Sequence, residues 1–183
     1  GSAFQVNPAH MSNIMLFKNA GTGSYVEINQ TGNDNTVSVE QIGSKSNYTK
    51  YIGNGMSNDV TVNQTATNDT QTNYVDLSVN GNYNIINIEQ YTALSNSFGK
   101  GVFASVTDDN NTLTVNQLDG GSHYANVNLS GGNKHVDITQ EGPAPHMTDI
   151  TLSGQPVDLS LRQSGATQQF YSINFNCATA GGC

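Results

Sequence analysis

The side chains best suited to catalysis or metal binding are four histidines, two cysteines and fourteen carboxylates, and their spacing serves neither task well. His10, His123, His135 and His146 form no i, i+4 pair and no HExxH. They read as solvated turn histidines rather than zinc ligands. Asp108-Asp109-Asn110-Asn111 gathers the oxygens that a hard cation favours, but without the glycine and glutamate spacing of an EF-hand loop. No G-x-S-x-G occurs, and neither Cys177 nor Cys183 has a histidine partner by motif. Glu40 and Glu89 lie on equivalent arms of a repeat and would line up along one sheet. There they read as a solubilising face rather than as the carboxylate pair of a glycosidase. The expectation is a protein that is no enzyme and needs no metal or cofactor.

The side chains with regular spacing are amides. Seven segments read apolar-x-apolar-x-Gln and end at Gln30, Gln41, Gln64, Gln90, Gln117, Gln140 and Gln163. Successive glutamines are 11, 23, 26, 27, 23 and 23 residues apart. The first interval is half of the others, so each period of about 23 residues holds two arms. Second arms without a glutamine lie between, as in Val75-x-Leu77-x-Val79 and Ala125-x-Val127-x-Leu129. Period-two alternation makes every arm a strand and points its glutamine inward with the apolar residues. A lone buried amide is costly, but a stack is not, because each carbonyl meets the N–H of the copy one rung away. Asn35, Asn58, Asn84 and Asn111 stand six residues before a repeat glutamine, as Ser24 does before Gln30, and would start the strands. Gly32, Gly43, Gly142 and Gly165 follow two residues after a glutamine and read as corners.

These features predict an all-β fold: a two-sheet parallel β-solenoid of about six strand-turn-strand coils, with a C-terminal disulfide-tied cap. Residues 23–165 carry the repeat. Residues 1–22 are set apart as an N-terminal segment, vector-derived in part on the look of His10-Met11. Residues 166–183 form a cap or tail, with Tyr171, Ile173 and Phe175 on one face of a last strand, read either as laid over the open end or as a donor strand inserted into the next subunit. Cys177 and Cys183, with five residues between them, suggest one local disulfide worth roughly 2 kcal/mol. That bond implies an oxidising compartment. Two insertions, Thr65 to Asn73 and Tyr91 to Gly101, break the period. The second brings Tyr91, Leu94 and Phe98 to a candidate binding loop.

The stretch Ser24-x5-Gln30-x-Gly32-x2-Asn35-x5-Gln41-x-Gly43 resembles a full repeat of the curlin family, the subunits of bacterial curli amyloid fibres. The resemblance covers residues 24 to 165. One repeat matches fully and the others keep half of the pattern, which marks a divergent member. It implies a secreted subunit that polymerises end to end into functional amyloid in biofilm. Ser24, Gln30, Asn35 and Gln41 would be its inward ladder residues, with Asn58, Gln64, Asn84, Gln90, Asn111, Gln117, Gln140 and Gln163 continuing them.

Composition narrows the partners. The net charge is −8 with only six Lys and Arg, which argues against nucleic acid. No run of 18 apolar residues occurs, so no membrane insertion is expected. The expected partners are copies of the chain or related repeat subunits, at the cell surface or outside it. A second reading is a monomeric capped solenoid, an adhesin or ligand-binding module that meets a surface glycan or protein through its insertions.

Overall fold

A computed structural model describes residues 2–6, 13–20, 23–43, 47–66, 72–92, 99–131, 133–154 and 156–175. Regular structure among them is entirely β. The strands are β1 (Ser2–Val6), β2 (Ile14–Ala20), β3 (Tyr25–Thr31), β4 (Thr36–Gly43), β5 (Asn47–Asn54), β6 (Asp59–Ala66), β7 (Asn73–Asn80) and β8 (Ile85–Thr92). They continue as β9 (Gly101–Thr107), β10 (Thr112–Gln117), β11 (Tyr124–Asn128), β12 (His135–Glu141), β13 (His146–Thr151), β14 (Asp158–Ser164) and β15 (Gln169–Ile173). Odd strands form an eight-stranded sheet, here sheet A, in sequence order. Even strands form a seven-stranded sheet B. Every pairing is parallel and joins a strand to the next of its own parity. The chain is therefore a β-solenoid, and residues 23–165 contain six of its strand-turn-strand coils.

Alternation puts one apolar face of each strand into the single layer between the sheets. Strand β6 buries Val60, Val62, Gln64 and Ala66 and turns Thr61 and Asn63 outward. In register with it, Val37 and Val39 of β4 and Ile86 and Ile88 of β8 lie directly beside Val60 and Val62. Each coil thus buries its apolar face against its neighbours above and below.

Residues outside the repeat add rungs of the same kind. Met15 and Phe17 of β2 sit beside Val37 and Val39, and β1 pairs along β3 from Val26 to Gln30. Strand β15 continues sheet A, with Ile173 beside Ile150. It lies along the sheet edge as a further parallel rung and does not cross the open end. The reason is its alternation, which matches that of the rung before it. Cys177 and Cys183 lie outside the described residues.

Stacking leaves no room at the corners. Gly55 has φ +144, and a Cβ there would stand 1.8 Å from the Gly81 carbonyl oxygen of the next rung. Gly165, at φ +111 in the last complete coil, has nothing within 4 Å of the same position. Both need left-handed backbone, but only Gly55 also faces a neighbour. Gly165→Ala should cost about 1–3 kcal/mol for the backbone alone. Gly55→Ala should cost clearly more, and urea unfolding of the two variants checks the difference.

Candidate functional site

Sheet B carries a continuous glutamine ladder. The Nε2 of Gln41 donates to Gln64 Oε1 at 2.8 Å, Gln64 to Gln90 at 2.8 Å, and Gln90 to Gln117 at 2.9 Å. Gln117 then donates to Gln140 at 2.9 Å and Gln140 to Gln163 at 2.8 Å. The second N–H of each amide crosses the core to a sheet A carbonyl sixteen residues earlier in the chain. The acceptors are Tyr25, Tyr48, Tyr74, Gly101, Tyr124 and Met147. The ladder therefore links rung to rung and sheet to sheet with the same side chains. At its N-terminal end Gln41 Oε1 is buried without a hydrogen-bond partner.

A second ladder runs along the corner where β4, β6, β8 and β10 begin. Asn13 Oδ1 accepts from the backbone N–H and the Nδ2 of Asn35. Asn35, Asn58 and Asn84 do the same for Asn58, Asn84 and Asn111. These amides donate toward the N-terminal end of the stack, whereas the glutamines donate toward the C-terminal end.

Gln30 and Ser24 belong to neither ladder, although the local sequence around them matches the repeat. They lie on or beside β3 in sheet A. The Tyr51 hydroxyl donates to Gln30 Oε1 at 2.5 Å, and Gly53 stands beside Gln30 in the next rung. A Cβ at Gly53 would lie 2.2 Å from Gln30 Oε1, so glycine makes room for this pair. Ser24 is buried and its Oγ has no hydrogen-bond partner.

Ser24 heads a third column, at the corner where sheet A strands begin. Its register partners are Asn47, Asn73, Lys100, His123, His146 and Gln169. Most of them do one job. Asn47 Nδ2, His123 Nε2, His146 Nε2 and Gln169 Nε2 each bond the carbonyl five residues earlier, at Ile42, Leu118, Glu141 and Ser164. This corrects the reading of the histidines as solvated. His123 and His146 are buried and their rings stack at 5.2 Å. Each uses Nε2 as the donor, which leaves a buried Nδ1 without a partner. His135 is exposed and lies 3.0 Å from Asp158, and His10 falls outside the described residues. The clue in the sequence was the interval of 23 between His123 and His146, which equals the repeat.

Lys100 fills this column with its amine folded inward, donating to Asp119 O at 2.7 Å and Gly121 O at 3.3 Å. Burial pulls its pKa down to about 7, against the opposing pull of Asp119. Burial, then the Lys100 charge, pulls His123 down to about 4.

The outer faces show how the remaining candidates are used. Asp109 Oδ1 accepts from the Asn82 backbone at 2.7 Å and from its Nδ2 at 2.9 Å, so this carboxylate holds a turn. Among the described residues no three His, Cys, Asp or Glu side chains come together as a metal site. Glu40 and Glu89 share one outer column of sheet B with Asn63 between them, and Glu40 pairs with Lys18. Tyr91 ends up on the outer face of β8 with 43% of its surface exposed, while Leu94 and Phe98 fall outside the described residues. Sheet A presents an aromatic column outside. Tyr25, Tyr48, Tyr74 and Phe103 stack at 5.1, 4.6 and 4.9 Å, and Tyr124 follows at 5.4 Å. Gly101 holds the register position between Tyr74 and Tyr124, and the Phe103 ring leans into its place.

No family model, no curated protein and no solved structure matches this chain.

Gln90→Leu should strand the Gln64 amide and the Tyr74 carbonyl, and leave Gln117 short of a donor. At about 1–3 kcal/mol for each of these three buried groups, the loss should reach roughly 3–9 kcal/mol. Gln30→Leu should cost less, since it leaves only the Tyr51 hydroxyl unpaired, and urea unfolding ranks the two.

The pH dependence has a definite sign. Both shifted groups bind protons more readily in the unfolded chain. Stability therefore rises with pH from about 4 to 6.5 for His123 and from about 7 to 10.5 for Lys100. His123→Asn, which installs the residue used at Asn47 and Asn73, should flatten the first rise. Lys100→Met should flatten the second.

Proposed function

We propose that this chain is a secreted, curlin-like structural subunit of a bacterial surface fibre or biofilm matrix, assembled by stacking of its coils. The observation that supports this reading best is the state of the two ends. Along the stack the inward apolar residues are fully buried, as at Val136 and Ile138. At the C-terminal end Leu159, Leu161, Ile173 and Phe175 are only partly buried, and so are Met15 and Phe17 at the other. A parallel edge with apolar residues half-covered is a template for another chain. In this reading Cys177 and Cys183 form a disulfide that ties the chain beyond β15, and the oxidised pair places the protein at the cell surface or outside it.

One observation favours the second reading, an adhesin that works as a capped monomer. Both insertions lie in the return from sheet B to sheet A, between β6 and β7 and between β8 and β9, on consecutive coils. They leave from one corner, with Tyr91 exposed beside the second.

Incubation of the purified chain at high concentration, followed by electron microscopy and fibre diffraction, separates the two. Unbranched fibres with a meridional spacing of about 4.8 Å are the expected result. A chain that stays monomeric over weeks overturns self-polymerisation in favour of the adhesin.

A further inference from the structure

The two ends of the stack are stepped. At the C-terminal end sheet A reaches one rung further than sheet B, because β15 follows β14. At the N-terminal end, without β1, sheet B reaches one rung further than sheet A, because β2 precedes β3. We infer that these half-coil steps are complementary, so that β15 of one copy takes the β3 edge of a second copy and displaces that copy's own β1. Strand β14 then meets β2 across the same joint. The inference rests on the self-assembly reading and specifies its contact.

Register supports the exchange. Continuing the sheet A columns from β13 places Gln169–Ile173 beside Ser24–Ile28 of the next copy. Strand β1 covers a different part of that edge, from Val26 to Gln30. Ser24 and Tyr25 therefore lie outside the β1 pairing and offer an entry point, from which β15 can advance as β1 peels away. Two side chains already fit there. Ser24 Oγ is buried and unpartnered, and Gln169 would bring an amide beside it. Phe170 is 61% exposed and belongs to the column of Tyr25, so its ring would extend the aromatic stack across the joint.

Sheet B fits as well. Its columns place Leu159 and Leu161 beside Met15 and Phe17 of the next copy, which would cover all four half-buried side chains. Gln163 would meet the position of Asn19. One contact is unfavourable, since Arg162 comes beside Lys18. Each already has an acidic partner, Glu141 and Glu40, and moderate salt screens what remains.

Full-length chains test this. Ala3→Pro with Phe4→Pro removes two consecutive backbone N–H groups from β1 and should loosen it from β3. Circular dichroism before assembly confirms that the solenoid is kept. Loosening β1 raises the fraction of chains with an open β3 edge, so the lag before fibres scatter light should shorten roughly tenfold or more. Adding Tyr171→Pro with Ser172→Pro in β15 should then stop growth. Equal lags with and without the β1 prolines overturn the exchange while leaving self-assembly standing. Unimpeded growth of the chain with β15 blocked overturns it too. Fibres from none of the chains overturn the exchange and the self-assembly reading together.

Discussion

Inside the ladder a primary amide stays satisfied because its own copy lies one rung above and one below. Each buried glutamine has two N–H groups and a carbonyl to satisfy, away from water. The ladder gives one N–H and the carbonyl to neighbouring rungs and the other N–H to the facing sheet. That arrangement demands parallel strands in register, since a slip of one residue would turn every glutamine outward. It also fixes the path between sheets. The bond from each glutamine reaches back sixteen residues in every coil, whether the next rung is 23, 26 or 27 residues away. The corner glycines follow from the same constraint, because rungs held this closely leave no space for a Cβ.

The asparagine corner shows the constraint met in another way. There the side chain also takes the backbone N–H at the start of the next strand, so one residue closes a turn and sets the rung height. Its donors point opposite to those of the glutamines. A rung turned upside down would set donor against donor on one side of it and acceptor against acceptor on the other. The stack therefore has a head and a tail at the level of individual amides.

Much of this was legible in the sequence, because identity repeats wherever the chemistry needs the same group. The period of Gln41 to Gln163 gave both the strands and their parallel order, and the half-interval at Gln30 revealed two arms. What stayed hidden was hidden for physical reasons. Gln30 has the local pattern of a ladder residue, but it sits in the sheet where Gly53 and Tyr51 replace the next amide. The column from Ser24 to Gln169 mostly keeps a hydrogen bond rather than a residue type, so Asn47, His123 and Gln169 do not look alike on paper. Lys100 is buried only because its long stem folds back to two turn carbonyls, which no spacing announces. Strands β1, β2 and β15 carry no repeat glutamine, and only their pairing shows them to be rungs.

The fixed stretch of sixteen residues and the variable return divide each coil into a chassis and a mounting point. Closing a longer loop costs little, about 0.6 kcal/mol for each doubling of its length. Extra chain placed after a glutamine leaves the amide bonds of its coil untouched, as the spacings of 26 and 27 already show. Foreign peptides grafted into the return between β10 and β11, or between β12 and β13, would be carried at one corner in a row. The molecule is in that sense a ruler with attachment holes, its graduations set by hydrogen bonds and its cargo left open.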